Sequence, residues 1–354
     1  MAGKNSTRYA FLTSALIVIA GFTTHPLMLL SRTKIPDESV PPSQHFADVK
    51  VPRGYRVPPV HNRRFTGRDI TIDLFAAVFA QGMAVYAEIY KNRPDQDKDL
   101  TVRCLVFDKR DVLLSKRPWG YRALIGLNPE TGAGMRQMTA VYSVGGVARA
   151  EHFTVAIAET EYQFYPGALD LGTYSDVDYR PTEEEMKFIN RCTAKKSRVF
   201  SEIGPDLLSN ALSHPRNNHY VTSPFWAKRL VMRYRNRNGK KIRFKDQLNI
   251  HRGIDLRGKT GEPVYSMADG KIAIAEPMYY EGMFIVIDHG NRIFSYYMHL
   301  DSLNVSEGDR VRAGDLIGRV GSTGLSTAAH LHVSLMIQEV YVDPLSMLAL
   351  PVRN

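Results

Sequence analysis

His251-Arg252-Gly253-Ile254-Asp255-Leu256 and His330-Leu331-His332-Val333 decide how the C-terminal third of this chain folds. In an extended strand, residues i, i+2 and i+4 share a face. His330 and His332 therefore point into one groove, and His251 and Asp255 can point into another. If the two strands are neighbours, one metal ion can be gripped by His251, Asp255 and His332. Two imidazoles and a carboxylate make a three-ligand set, which in catalytic zinc sites leaves a fourth place for water or substrate. Structural zinc sites close that place, usually with cysteine, and the chain's two cysteines, Cys104 and Cys192, lie far away in sequence. His330 then stands beside the metal as an acid or base, and Tyr297-Met298-His299-Leu300 supplies a further imidazole. A lone histidine on a strand is more often an ordinary surface or core residue, but H-x-x-x-D, H-x-H and a third histidine together are hard to produce by chance. His289, in Asp288-His289-Gly290-Asn291 between two apolar runs, reads as a turn residue.

The text around these residues is continuous with a known pattern: G-E-P-V-Y-S-M-A-D-G-K-I from Gly261, I-V-I-D-H-G-N from Ile285, V-S-E-G-D-R-V-R-A-G-D-L-I-G-R-V-G-S-T-G from Val305, and V-D-P-L from Val342. Residues 248–347 closely resemble the lysostaphin-type (LytM-like) zinc endopeptidases, the family that cuts peptide bridges of bacterial peptidoglycan. The resemblance implies one zinc per chain held by His251, Asp255 and His332, with His299 and His330 as the catalytic pair. Two places depart from the family pattern: Tyr280-Glu281-Gly282-Met283-Phe284, where a glycine-rich turn is usual, and Val333-Ser334, where an acid often follows H-x-H. In such a site the metal polarises the scissile carbonyl and lowers the pKa of its bound water to about 7, and an imidazole relays the proton, worth about 10²–10⁴-fold. The competing class is a non-enzymatic envelope protein that keeps the fold as a wall-binding module or regulator of another hydrolase; such proteins typically lack some of the ligands, and here all five residues are present.

The expected fold is mainly β. Residues 221–354 form an antiparallel β metallopeptidase domain, with strands over Lys271–Ala275, Phe284–Asp288, Ile293–Met298, Leu316–Val320 and His332–Ile337. Val305–Val320, with Gly308-Asp309 and Gly314-Asp315, resembles the hammerhead segment of biotin and lipoate carriers, a role the histidine motifs argue against. Residues 66–165 read as a β-sandwich with strands at Ile70–Phe75, Met83–Tyr90, Thr101–Phe107, Tyr121–Leu127, Met138–Val144 and Glu151–Ile157; an immunoglobulin-like topology is one option, although the cysteine and tryptophan hallmarks are missing. The sandwich is assigned a positioning role or an envelope protein partner. Asp95–Asp99 and Asp108–Asp111 read as loops. Residues 166–220 form a partly helical linker whose helix, from Pro181 to about Phe200, bridges the domains. Cys104 and Cys192 are candidates to pair in an oxidising compartment.

The net charge of +10 is uneven. Residues after 250 carry nine Lys/Arg against twelve Asp/Glu, so the excess lies upstream, densest in Lys228–Lys245. That stretch reads as a hairpin with an Asn238-Gly239 turn. Its expected basic face, Arg233, Arg235, Lys241, Arg243 and Lys245, would gather anionic wall polymer, while Met232, Tyr234, Ile242 and Phe244 pack inward. At the N-terminus, Lys4 and Arg8 precede the apolar run Tyr9–Phe22, of signal-peptide length. Residues 1–30 thus read as a signal peptide or, with the apolar stretch running on to Leu30, an uncleaved anchor through residues 9–30. Residues 31–65 read as a proline-rich extended linker. Either form of the N-terminus exports the protein to the periplasm or cell envelope, the anchored form at the inner membrane, which makes nucleic acid a poor partner and peptidoglycan the expected one.

Overall fold

Between residues 254 and 342, β-rich runs are punctuated by glycine turns, and they assemble one antiparallel sheet. A computed structural model describes residues 48–93 and 99–354. The main path of this sheet runs Val221–Ser223, Ile254–Arg257, His330–Ile337, Ile293–Leu303, Gly282–Asp288, Gly270–Met278 and Arg310–Val311, with Pro263–Tyr265, Leu316–Val320 and Val340–Val342 paired to it off the path. The strand His330–Ile337 sits at its centre, and its period-2 alternation explains the architecture. Leu331, Val333, Leu335 and Ile337 enter the largest core. His330, His332, Ser334 and Met336 occupy the other face.

That second face is divided by one helix. Glu183–Ser201 begins with a reciprocal cap: the Thr182 hydroxyl accepts from the Glu185 N–H, and the Glu185 carboxylate accepts from the Thr182 N–H. Three acids in its first turn favour the positive helix end. Its apolar stripe, Phe188, Cys192, Val199 and Phe200, covers Phe284, Phe294, Tyr296 and Met336. The helix was expected to bridge two domains; it instead closes one half of a sheet face, because that face continues apolar beyond Ser334 and needs a cover. The half bearing His330 and His332 stays open.

In Val305–Val320 each glycine-aspartate pair is a turn. Gly308 and Gly314 take φ of +93° and +85°, and Asp309 and Asp315 accept from the backbone N–H of Ser306 and Arg312 three residues back.

Residues 61–157 form two further antiparallel sheets. One runs His61–Thr66, Ile70–Ala76, Ala84–Lys91, Gly120–Gly126, Ser115–Arg117; the other runs Val147–Ile157, Gly134–Val144, Leu100–Phe107, Arg110–Val112. Both contribute to one core, including Ile72, Val85, Ile89, Leu105, Tyr121, Met138 and Phe153. The first sheet has a second buried face: Phe75, Ala84, Tyr86 and Leu124 belong to the same core as the C-terminal sheet. Gly126 permits the contact, since a Cβ there would lie 2.8 Å from the Val340 Cβ. A sandwich standing alone would leave this face to water, and Ile70–Ala76 is buried at every residue for this reason.

Two expectations need correction. Part of residues 31–65 is built into the fold rather than extended: Asp48–Lys50 pairs in parallel with Ala211–Ser213, and His61–Thr66 is a strand. Cys104 and Cys192 are both free, the second buried on the helix face that packs against the C-terminal sheet. His289 lies in the turn as expected; fully buried there, it bonds the Asp269 carbonyl at 2.7 Å and the Ser295 hydroxyl at 2.9 Å and so pins the turn. The apolar run at residues 9–30 and most of the loop at 95–99 lie outside the described residues. Among those described, no helix is long and apolar enough to cross a membrane.

Candidate metal centre

Strand register brings the motifs together. Asp255 stands opposite His332, and Arg257 opposite His330. Opposed residues share a face, so all four side chains lie on the open half of the sheet. His251 arrives from the adjoining strand end, held by reciprocal backbone bonds with Trp226 and Ala227. The result is a triangle: His251 Nε2, Asp255 Oδ1 and His332 Nδ1 are each 2.9 Å from the other two. The glycine of the first motif is a clearance: a Cβ on Gly253 would lie 2.3 Å from the Val333 carbonyl oxygen and 2.6 Å from His332 Nε2.

The other heteroatom of each of these residues is already engaged. His251 Nδ1 lies 3.0 Å from the Pro224 carbonyl oxygen, which can only accept, so Nδ1 carries a proton and Nε2 is the atom turned to the triangle. His332 Nε2 bonds the Ser334 hydroxyl at 2.9 Å. Asp255 Oδ2 accepts from the Arg229 guanidinium at 2.8 Å, and Arg229 also donates to Ser223. Burial would push the Asp255 carboxyl up, but the adjacent His251 and His332 outweigh it and hold it well below the usual carboxylate range. Burial pushes the His332 imidazole down. The donor set, two imidazoles and one carboxylate with their outer atoms tied, fits a metal ion.

His299 and His330 flank the triangle, with ring centres 5.0 Å apart. His299 owes its position to a bulge. Met298 pairs with His332 and already points to the open face, so alternation would send His299 the other way. The strand shifts register between Tyr297 and Leu300, and His299 takes a left-handed φ of +63°, which returns its ring to the same side. His299 Nδ1 donates to the Thr323 carbonyl at 2.9 Å, and His330 Nδ1 to the Ala328 carbonyl at 2.8 Å. Each thus turns Nε2 toward the cleft; that of His330 is 3.6 Å from Asp255 Oδ1. Burial pushes the His299 imidazole down to about 4, keeping it neutral. The five side chains open into a cleft of about 980 Å³, whose walls include Leu169, Arg229, Lys259, Tyr280 and Leu325.

The basic hairpin departs from its expected form. Asn238 and Gly239 take φ of +49° and +77°, as a two-residue turn requires. The register, however, sets Tyr234 opposite Arg243 and Arg235 opposite Ile242. Arg235 therefore shares a face with Ile242, while Arg243 and Lys241 share the other with Tyr234, and Ile242 and Phe244 are exposed rather than packed. Arg235, Lys241 and Arg243 pair with Asp178, Asp170 and Asp246, and Arg233 donates to the Tyr174 carbonyl. None of the four lines the cleft. A two-residue turn makes the residues flanking it, Arg237 and Lys240, a pair; counting opposed residues outward from them gives this register.

Residues 249–344 match peptidase family M23. They are an M23 peptidase domain. Similar proteins include the peptidoglycan DD-endopeptidase ShyB of Vibrio cholerae, 37% identical over 93 residues, 26% of this chain and 22% of that protein. The DD-carboxypeptidase/endopeptidase Mpg of Neisseria meningitidis is 41% identical over 102 residues, 29% and 23% of the two chains. The glycyl-glycine endopeptidase ALE-1 of Staphylococcus capitis is 43% identical over 88 residues, 24% of each. The chain thus spans about a quarter or less of the length of these relatives. A crystal structure from Pseudomonas aeruginosa assigned to peptidase M23 matches 77% of this chain and 95% of its own at a TM-score of 0.51 and 20% identity; it shares the fold well beyond the M23 domain.

Proposed function

We propose that this chain is an exported zinc-dependent endopeptidase that hydrolyses peptide cross-links of bacterial peptidoglycan in cell-wall remodelling. The observation that carries the reading is the convergence of His251 Nε2, Asp255 Oδ1 and His332 Nδ1 at mutual distances of 2.9 Å beside two further imidazoles. A zinc ion bound there supplies Lewis acidity toward the scissile carbonyl and its water. The remaining work falls to the chain itself. His299 enters the reaction as a neutral base, and the Nδ1 bonds to Thr323 and Ala328 leave Nε2 of both His299 and His330 facing the cleft. The imidazole that takes the proton of the attacking water becomes an Nε2–H donor and returns that proton to the leaving amine. Its partner, within the same cleft, orients the substrate carbonyl. Asp255, fixed by Arg229, holds charge rather than moving a proton.

The relatives act on peptidoglycan by name, and peptidoglycan lies outside the cytoplasm, which accords with an export signal at residues 1–30. Incubating the full-length metal-loaded protein with purified sacculi, followed by mass analysis of the soluble products, tests the activity. Release of peptides cut at a cross-link, abolished by chelation and restored by zinc, is the expected result. Binding to sacculi with no release would sink the enzymatic reading and favour a wall-binding module.

A further inference from the structure

The charges in the cleft do not cancel. Its acids are all answered from behind or beside: Asp255 by Arg229, Glu281 by Lys196 and Glu262 by the buried Arg216. Arg257 has no such partner among the described residues. Its guanidinium lies over the Tyr220 ring at 4.9 Å, a support that fixes its plane without neutralising it. Lys259, next along the wall, makes no ion pair among the described residues and only adds its field to Glu262. The free charge of the cleft is therefore positive and sits on one side of the metal centre.

The register fixes where. Arg257 is two residues beyond Asp255 on the same strand and opposite His330, so it shares their face. Two residues of strand span about 7 Å, the length of one to two residues of an extended peptide lying along the cleft. Resting on the endopeptidase reading above, we infer that Arg257, with Lys259, forms a carboxylate-binding subsite, and that the preferred substrate is a cross-link carrying a free carboxylate beside the scissile bond rather than a glycyl bridge. An arginine fork suits a carboxylate, and a charge-assisted hydrogen bond to it discriminates against a substrate that lacks it.

The test uses the full-length zinc-loaded protein and three synthetic cross-linked peptides: one with a free carboxylate beside the scissile bond, its primary amide, and a pentaglycine bridge. The parent should cleave the first with kcat/KM about tenfold or more above the other two, the weight of one charge-assisted hydrogen bond. Arg257→Gln should remove that advantage through KM, with kcat little changed and the amide unaffected; Arg257→Lys should restore part of it. Equal kcat/KM for acid and amide in the parent, or an equal loss on both in Arg257→Gln, would overturn the subsite. Should Arg257→Gln fail to fold, Lys259→Gln and the parent's own acid-to-amide ratio still decide. Titrating the acid and amide peptides into the metal-free full-length protein separates the two claims. Tenfold tighter binding of the acid without hydrolysis sinks the proposed activity and leaves the subsite standing, hydrolysis without discrimination does the reverse, and no binding of either sinks the subsite.

Discussion

At the scale of residues, the site divides into groups that touch the metal position and groups that aim them. His299→Ala and His330→Ala should retain one zinc per chain, because neither belongs to the 2.9 Å triangle, yet lose hydrolysis by about 10²-fold or more. Metal analysis beside turnover on sacculi checks both, and a variant that cleaves at the parent rate would remove that histidine from the mechanism. Gly253→Ala argues the complementary case. Its new methyl would press on His332 and on the Val333 carbonyl at under 3 Å, so zinc affinity should fall about 10- to 100-fold, as for lost outer support, with near-native circular dichroism; unchanged affinity in competition with a chromophoric chelator would refute the clearance role. The convergence of His251, Asp255 and His332, with His330 beside them, was legible because each motif is short and period 2 fixes its face. The same period, carried two residues on, reaches Arg257 and Ser334. Arg229 and Thr323 were not legible, since their contacts with Asp255 and His299 cross 26 and 24 residues of chain and carry no local pattern.

At the scale of elements, strand cores were readable and strand ends were not. Ile293–Met298 reads as a strand from its β-branched and aromatic content, but the strand continues to Leu303 through the bulge that aims His299. Nothing in Met298-His299-Leu300 marks a left-handed residue, because glycine and asparagine, the usual signals, are absent. The helix start was legible from Pro181-Thr182 and three acids, whereas its docking surface was not, since the complementary stripe lies on strands about 80 to 150 residues away. Its reciprocal cap gives a bounded prediction. Thr182→Ala removes the acceptor for the Glu185 N–H and should lower unfolding free energy by about 1 kcal/mol, measured by urea titration. The effect should be on stability alone, since the helix covers the half of the sheet face away from the cleft. A loss of sacculus hydrolysis at full folding would show that the helix also shapes the site.

At the scale of the whole molecule, the decisive fact is a sheet with two buried faces, which joins the upstream strands to the peptidase core through Phe75, Tyr86 and Leu124. Arg122 locks this junction: it is 1% exposed, grips Asp206 with two bonds of 2.8 and 2.9 Å, and donates to the Leu208 and Arg353 carbonyls. Arg122→Ala would leave Asp206 buried without its strongest partner and should cost about 3–5 kcal/mol, lowering the denaturation midpoint of the whole described unit in one transition; a separate early transition of residues 61–157 would show that the two cores unfold apart. Buried histidines set the response of the same body to acid. Burial pushes His289 and His214 down to about 4, against about 6.5 in an unfolded chain. Between those values the unfolded state binds a proton that the folded state refuses, so stability rises with pH across the window and is lost as pH falls from 6.5 toward 4. Each group should withdraw about 1.5 kcal/mol between pH 6.5 and 5, the slope approaching about 1.4 kcal/mol per unit below the unfolded value. His289→Asn keeps a donor for the Asp269 carbonyl and removes the titrating group. It should be less stable than the parent at pH 7.5 but lose less between pH 6.5 and 5, as read from urea midpoints at each pH. Parallel pH slopes in parent and variant would show that His289 is not a source of the acid sensitivity.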